Sequence, residues 1–210
     1  MGLNQDVSLD RIESAILFNS FADALSELRS KKYKIISLAQ NADLRIRCGS
    51  DSYISQHGNW VKEAVLYTPN GFNKLIRLSP IVRFAKEATK LDRQGKEFYP
   101  TEKHIERILE DSIDYPQDSI EIPTNRFGLE ALTIWAFGGE KEARDYGKFL
   151  EEAGISKLPI SVVGKDYVNK QEKPFVRQIY LRNLEFHSQL DGSLKNLFVM
   201  NRMRGIINKK

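Results

Sequence analysis

Two stretches of alternating apolar and polar residues flank Asp191-Gly192 near the end of the chain. An Asp-Gly pair between such stretches is a strong signal for a two-residue hairpin turn. That turn would place Phe186 opposite Leu197 and Leu184 opposite Val199, so that one register builds a continuous apolar face. We therefore predict a C-terminal β-hairpin. A C-terminal helix is the alternative, because three apolar residues of the last stretch also fit helical spacing.

Three stretches predict the elements of the first part of the chain. An apolar stripe with helical spacing runs from about Leu9 to Ser30 and predicts a long N-terminal helix. Residues 34–48 alternate, which predicts a hairpin. Asn70-Gly71 lies between two apolar stretches and predicts a second hairpin, with Val65 opposite Ile76.

Helix-capping residues mark the middle of the chain. Ser79-Pro80 and Thr101 have the residue types that begin helices. Asn125 is placed to cap an apolar helix, and Gly138-Gly139 separates that helix from another that ends before Gly154. The sequence therefore predicts several central helices.

Together these elements predict an α+β fold, with a mainly antiparallel β-sheet, an N-terminal helix, central helices and a C-terminal β-hairpin. The length suits a single domain over residues 1–210, with two half-domains dividing near residue 96 as the alternative. The longest apolar runs are far shorter than the roughly 18–20 residues that span a bilayer. The N-terminus also lacks the pattern of a secretory signal. We expect a cytoplasmic protein with no membrane partner.

Charge is distributed unevenly along the chain, although the net charge is only +4. Residues 1–96 carry 15 basic and 10 acidic residues, residues 97–156 carry 6 and 14, and residues 157–210 carry 11 and 4. The stretch after Asp191 contains five Lys or Arg and no acid. A local positive field, rather than net charge, attracts phosphate groups.

This pattern predicts a non-catalytic, nucleic-acid-associated protein that binds the phosphate backbone of DNA or RNA. In the predicted hairpin, three arginines share one sheet face with an aromatic ring that would stack on a base. The basic C-terminal tail would add nonspecific contacts. The candidate nucleic-acid-binding residues are Arg177, Arg202, Arg204, Phe198, Lys209 and Lys210.

The same charges fit a second function, that of a protein-interaction or homo-oligomeric module. The basic C-terminal segment of one copy would then pair with the acidic middle segment of another. An edge strand near the C-terminus would also extend a sheet across a dimer axis.

A metal-dependent nuclease is the third alternative. The expected order of helix, four strands and helix resembles the core of restriction-endonuclease-like folds, whose sites need carboxylates that hold Mg²⁺. The candidates are Glu13, Asp43 or Asp51, and Lys62-Glu63. Glu63 alternates with apolar residues, and a carboxylate in such a place needs a partner, for which Arg77 is one candidate.

No other residue pattern predicts a catalytic, metal or cofactor site. The three histidines lack metal-ligand spacing. Gly138-Gly139 precedes a predicted helix but is followed by acids, and it lacks the Lys-Ser/Thr pair of a phosphate-binding loop. We expect no cofactor and no bound metal.

Overall fold

The computed structural model describes residues 3–9 and 12–208. The strands of these residues are β1 Asn4–Leu9, β2 Ile12–Asn19, β3 Lys34–Ile35, β4 Asn59–Tyr67, β5 Asn73–Ile76, β6 Ser112–Tyr115, β7 Ile120–Pro123, β8 Lys157–Ser161, β9 Phe175–Leu181, β10 Leu190–Asp191 and β11 Asn201–Asn208. Their helices are α1 Phe21–Ser30, α2 Leu38–Cys48, α3 Tyr53–Gln56, α4 Pro80–Arg83, α5 Ala85–Arg93, α6 Glu102–Leu109, α7 Ala131–Phe137, α8 Glu140–Glu152 and α9 Lys165–Asn169. Single 3₁₀ turns lie at Thr124–Arg126 and Leu184–Phe186.

The described strands form one mixed sheet of eleven strands, so the prediction of a mainly antiparallel sheet is wrong. The main strand order is β1-β2-β11-β4-β9-β10-β8-β7, with β5 and then β6 added beside β4, and β3 beside β11. β11 runs parallel to β4, and β10 runs parallel to β8. Both parallel pairs join segments that are distant in the sequence. Turn residues predict only the pairing of neighbouring strands, so they do not predict these two pairs.

The predicted C-terminal hairpin is also wrong. Asp191 pairs with Ser161 and Tyr180, and the Gly192 N–H donates to the Ser161 carbonyl at 3.0 Å, so the chain continues along the sheet instead of turning back. The second predicted strand begins only at Asn201 and inserts between β2 and β4. Alternation of apolar and polar residues predicts which face of a strand is buried, but it does not predict which strand is the hydrogen-bonded neighbour.

The N-terminal segment forms a strand pair where a helix was predicted. β1 and β2 are antiparallel, and α1 begins only after Ser20, whose hydroxyl caps the Asp23 N–H at 3.4 Å. Four successive residues, from Ser14 to Leu17, are buried, because β2 is covered on both faces. A strand buried on both faces reads as a continuous apolar run, which periodicity does not distinguish from a helix.

The predicted hairpin over residues 34–48 is mostly helix α2. Its start is a capping box: the Ser37 hydroxyl accepts from the Gln40 N–H, and the Gln40 side chain accepts from the Ser37 N–H. Ser-x-x-Gln is a recognised helix-start pattern. The capping box at Ser37 predicts a helix, whereas the alternation of the residues after it favours strands; the helix is what forms.

The hairpin at Asn70-Gly71 forms, but with a different turn. The Gly71 N–H donates to the Thr68 carbonyl at 3.0 Å, so Pro69 and Asn70 are the central turn residues, and Asn70 has a φ of 54°. Pro followed by a residue with positive φ is the pattern of a type II turn. The register shifts by one residue as a result, and Val65 pairs with Leu75.

Helices cover both faces of the sheet. α1, α4 and α5 pack on the face that contains Trp60, Ala64 and Tyr180 of β4 and β9. α2, α7 and α8 pack on the opposite face. Ser79 and Thr101 cap α4 and α6, as predicted.

A buried ion pair joins β11 to β1 across β2. The Arg204 side chain is 0% exposed, and its two terminal nitrogens each lie 2.6 Å from an oxygen of Asp6. One of them also donates to the Ser14 hydroxyl at 2.7 Å. The pair therefore connects the N-terminal strands to the last described strand.

We predict that Asp6→Ala lowers the free energy of unfolding by about 3–5 kcal/mol, because it leaves a buried guanidinium without a counter-charge. Urea denaturation followed by circular dichroism measures the change. Adding Arg204→Met to Asp6→Ala should restore most of the loss.

The matched control is Asp43→Ala, which removes an exposed carboxylate 3.3 Å from Arg47. Exposed pairs contribute at most about 1 kcal/mol. Equal losses for the two single variants would contradict the assigned role of the Arg204–Asp6 pair.

Candidate interaction surface

Two of the three predicted phosphate-binding arginines are engaged by carboxylates within the protein. Arg177 is only 11% exposed and donates to Glu97 at 2.7 Å and 3.3 Å, and also to the Ser193 carbonyl. Burial opposes ionisation of Glu97, but hydrogen bonds from Arg177, Tyr167 and Lys195 leave its pKa below the usual value. Arg204 is paired with Asp6 as described. Neither guanidinium is available to a phosphate.

The remaining sequence-predicted residues separate into two groups. Phe198 is exposed and Arg202 is half-buried, and the Arg202 guanidinium lies 5.7 Å from the ring centroid of Phe18, its partner in the β2–β11 register. Lys209 and Lys210 lie outside the described residues. The three arginines therefore do not form the common face that the hairpin predicted.

An exposed apolar patch lies next to Arg202. Phe198, Val199 and Met200 are 39%, 43% and 52% exposed, and Phe18 is 36% exposed. We call these four residues the C-terminal apolar patch. Contiguous exposed apolar side chains mark interaction surfaces more often than isolated ones do.

The backbone of this patch is fixed at both ends. The Phe21 N–H donates to the Leu197 carbonyl at 2.8 Å, and the Phe198 N–H donates to Asp92 at 3.3 Å. On the other side, Asn201 begins β11 opposite Asn19. Sequence reasoning missed the patch because the predicted hairpin placed Val199 against Leu184 in the core.

The carboxylate of Glu63 is buried at an irregularity in β4. The β4–β9 register shifts between Trp60 and Ala64, and the Gln178 amide donates to the carbonyls of Val61 and Glu63, the latter at 2.8 Å. One Glu63 oxygen accepts from the Leu38 N–H at 3.0 Å, and the other has no hydrogen-bond partner among the described residues. Burial raises the pKa of Glu63 to about 7, although Lys62 and Arg77 act in the opposite direction.

The nuclease candidates are not assembled into a metal site. Glu13 accepts from the Tyr33 hydroxyl, and Asp43 pairs with Arg47 at the surface. Arg77 was a candidate partner for Glu63. Its guanidinium instead lies 3.7 Å from the centroid of the Trp135 ring and 3.6 Å from Asp111. Within residues 3–9 and 12–208, no group of three or more His, Cys, Asp or Glu side chains is arranged to hold a metal ion.

Comparison with known proteins identifies the fold. No family model matches the chain, and no curated protein matches it. A solved structure from work on the accommodation of massive sequence variation in Nanoarchaeota by the C-type lectin fold is similar, with a TM-score of 0.70 and 16% identity. The alignment covers 96% of this chain and 100% of that one, so the chain has a C-type lectin fold.

This result corrects the functional prediction as well as the fold. The likeness to a C-type lectin fold gives no support to nucleic-acid binding, and two of the three arginines on which that prediction depended are paired internally. The prediction of a phosphate-binding C-terminal face is therefore wrong. In the part of the chain that the structure describes, no helix is long and apolar enough to cross a membrane.

Glu63 generates a prediction about pH dependence. A carboxyl whose pKa rises from 4.5 to about 7 on folding binds more protons in the folded state, so its contribution to stability falls as the pH rises through that interval. Each pKa unit corresponds to about 1.4 kcal/mol. Glu63→Gln should therefore match the wild type near pH 4 and exceed it by roughly 3 kcal/mol near pH 8.

Urea denaturation of both proteins across this pH range measures the difference. Glu121→Gln is the control, because Glu121 is an exposed carboxylate on β7 that pairs with Lys157. A difference between wild type and Glu63→Gln that does not change with pH would show that Glu63 titrates normally.

Proposed function

We propose that this protein is a binding module that engages another protein through the C-terminal apolar patch. The observation that carries the proposal is the exposure of three successive large apolar residues, Phe198 to Met200. They closely precede Arg202, whose guanidinium lies 5.7 Å from the exposed ring of Phe18. Leaving such residues in water is unfavourable, by about 25 cal/mol for each Å² of apolar surface. A partner that covers them recovers this free energy.

The composition of the patch suits protein recognition. Phe, Met and Arg are enriched in the buried centres of protein interfaces, and the patch combines Phe198 and Met200 with the neighbouring Arg202. Because hydrogen bonds fix the backbone on both sides of the patch, little conformational entropy is lost when a partner binds.

The fold supports a binding role by analogy. The similar solved structure is described as a C-type lectin fold that accommodates massive sequence variation. A scaffold of that kind keeps its core while its surface residues change. In this protein the loop over residues 192–200 lies between β10 and β11 and exposes side chains that the core does not use.

We predict that a photo-crosslinking amino acid at Val199 captures a discrete protein in extracts of the native cells, and that Met200→Glu reduces the captured product at least about tenfold. A charge in the centre of an apolar contact is desolvated without a partner. Because Met200 is 52% exposed, the thermal unfolding midpoint should barely change.

The control position is Leu129, an apolar residue that is 74% exposed and not part of the patch. Identical crosslinked products at Val199 and Leu129, or products at Val199 that survive Met200→Glu, would count against the proposal.

A further inference from the structure

A second surface, distinct from the C-terminal apolar patch, combines an aliphatic floor with a rim of cations. Two adjoining cavities of about 540 and 580 Å³ share Arg29, Leu78 and Val82, and so form one continuous groove. We call this surface the basic groove. Leu78 stands between the two halves and is 61% exposed.

The floor of the groove is mostly aliphatic. Besides Leu78 and Val82, its apolar lining residues are Leu25, Ile35, Pro80, Ile108, Ile206 and Ile207. The lining residues with planar rings are Tyr33, Phe84 and His104. This surface offers van der Waals contact to aliphatic side chains, but few planar rings on which nucleobases could stack.

The rim of the groove is strongly cationic. Its Lys and Arg residues are Arg29, Lys32, Lys34, Lys62, Arg77, Arg83 and Arg107. Among the described residues that line the two cavities, the only acid is Asp111, which lies 3.6 Å from Arg77. The described lining residues of the groove therefore include seven Lys or Arg residues and one acid.

Two of these cations contact neutral groups, and four others have no ion pair within the described residues. Arg29 donates to the Val82 carbonyl at 2.8 Å, and the Arg83 guanidinium lies 5.4 Å from the Phe84 ring centroid. Lys32, Lys34, Lys62 and Arg107 have no salt bridge with any acid in the described part of the chain. These cations can pair with an external carboxylate without breaking an internal ion pair.

We propose that the basic groove binds an acidic peptide segment of a partner protein, one in which Asp or Glu side chains alternate with aliphatic side chains. The carboxylates would meet the rim, and the aliphatic side chains would pack on Leu78 and the floor beside it. Charge complementarity selects such a segment over a neutral or basic one. The aliphatic floor selects it over a polyanion without apolar groups.

The test is fluorescence-anisotropy titration with a labelled synthetic peptide that contains Asp, Glu and Leu. We expect saturable binding that weakens several-fold when the salt concentration rises from about 50 to about 200 mM, since screening reduces the attraction. Arg83→Glu with Arg107→Glu should weaken binding at least about tenfold, and Leu78→Ser should weaken it about fivefold.

The matched control is Lys170→Glu with Lys173→Glu, which changes the net charge equally at two exposed lysines that do not line the groove. This control should retain most of the binding, and so should Met200→Glu, because it lies in the other surface. Circular dichroism confirms that each variant is folded, and hydrogen exchange should show protection at residues 78–84 and 102–109.

Three results would overturn the inference. One is an absence of binding at low salt. Another is binding as tight as that of the Leu-containing peptide by a peptide with Ser in place of Leu, or by an oligonucleotide of the same charge. Charge alone would then explain the binding. The third is an equal loss of binding in the Lys170 and Lys173 control.

Discussion

The insertion of β11 between β2 and β4 is the interaction on which the rest of the structure depends. β11 pairs with β2 over its whole length, from Asn201 to Asn208, and lies parallel to β4 at Met203. A side chain at Gly205 would come within 2.6 Å of Leu28 and 2.9 Å of Tyr33, so glycine at this position lets α1 and Tyr33 pack closely against this strand. The β1–β2 pair, α1 and the central sheet are therefore joined through the last described strand.

This placement also relates the two proposed binding surfaces. The C-terminal apolar patch directly precedes β11, and Ile206, Ile207 and Asn208 at its other end line the basic groove. A strand of this length spans roughly 25 Å, so the two surfaces lie at opposite ends of one rigid element. On the two proposals above, a partner on one surface would leave the other surface accessible.

Buried charged groups fix the relative positions of segments that are distant in the sequence. Apolar contacts are not directional and specify these positions less strictly. Arg45 is fully buried and donates to the Tyr146 hydroxyl at 3.0 Å, the Ser188 hydroxyl at 2.7 Å and the Arg182 carbonyl at 2.8 Å. These contacts connect α2, α8 and the loop after β9. Together with Arg204 and Glu63, they show why local sequence patterns did not predict how the elements are arranged. Caps at Ser79 and Thr101 act within one turn, whereas the partners of these charges are separated by up to 198 residues.

The same distinction explains why the candidate site was only partly predictable. The acid-free stretch after Asp191 predicted a positive C-terminal face, but in the structure Phe198 is exposed and Arg202 is half-buried. However, folding brings Glu97 to Arg177 and Asp6 to Arg204, and each pair removes a positive charge from the surface. Seven cations from residues 29–107 instead line the basic groove, and six of them have no ion pair within the described residues. The position of a protein's field is therefore set by the charges left unpaired after folding, which a tally along the chain does not reveal.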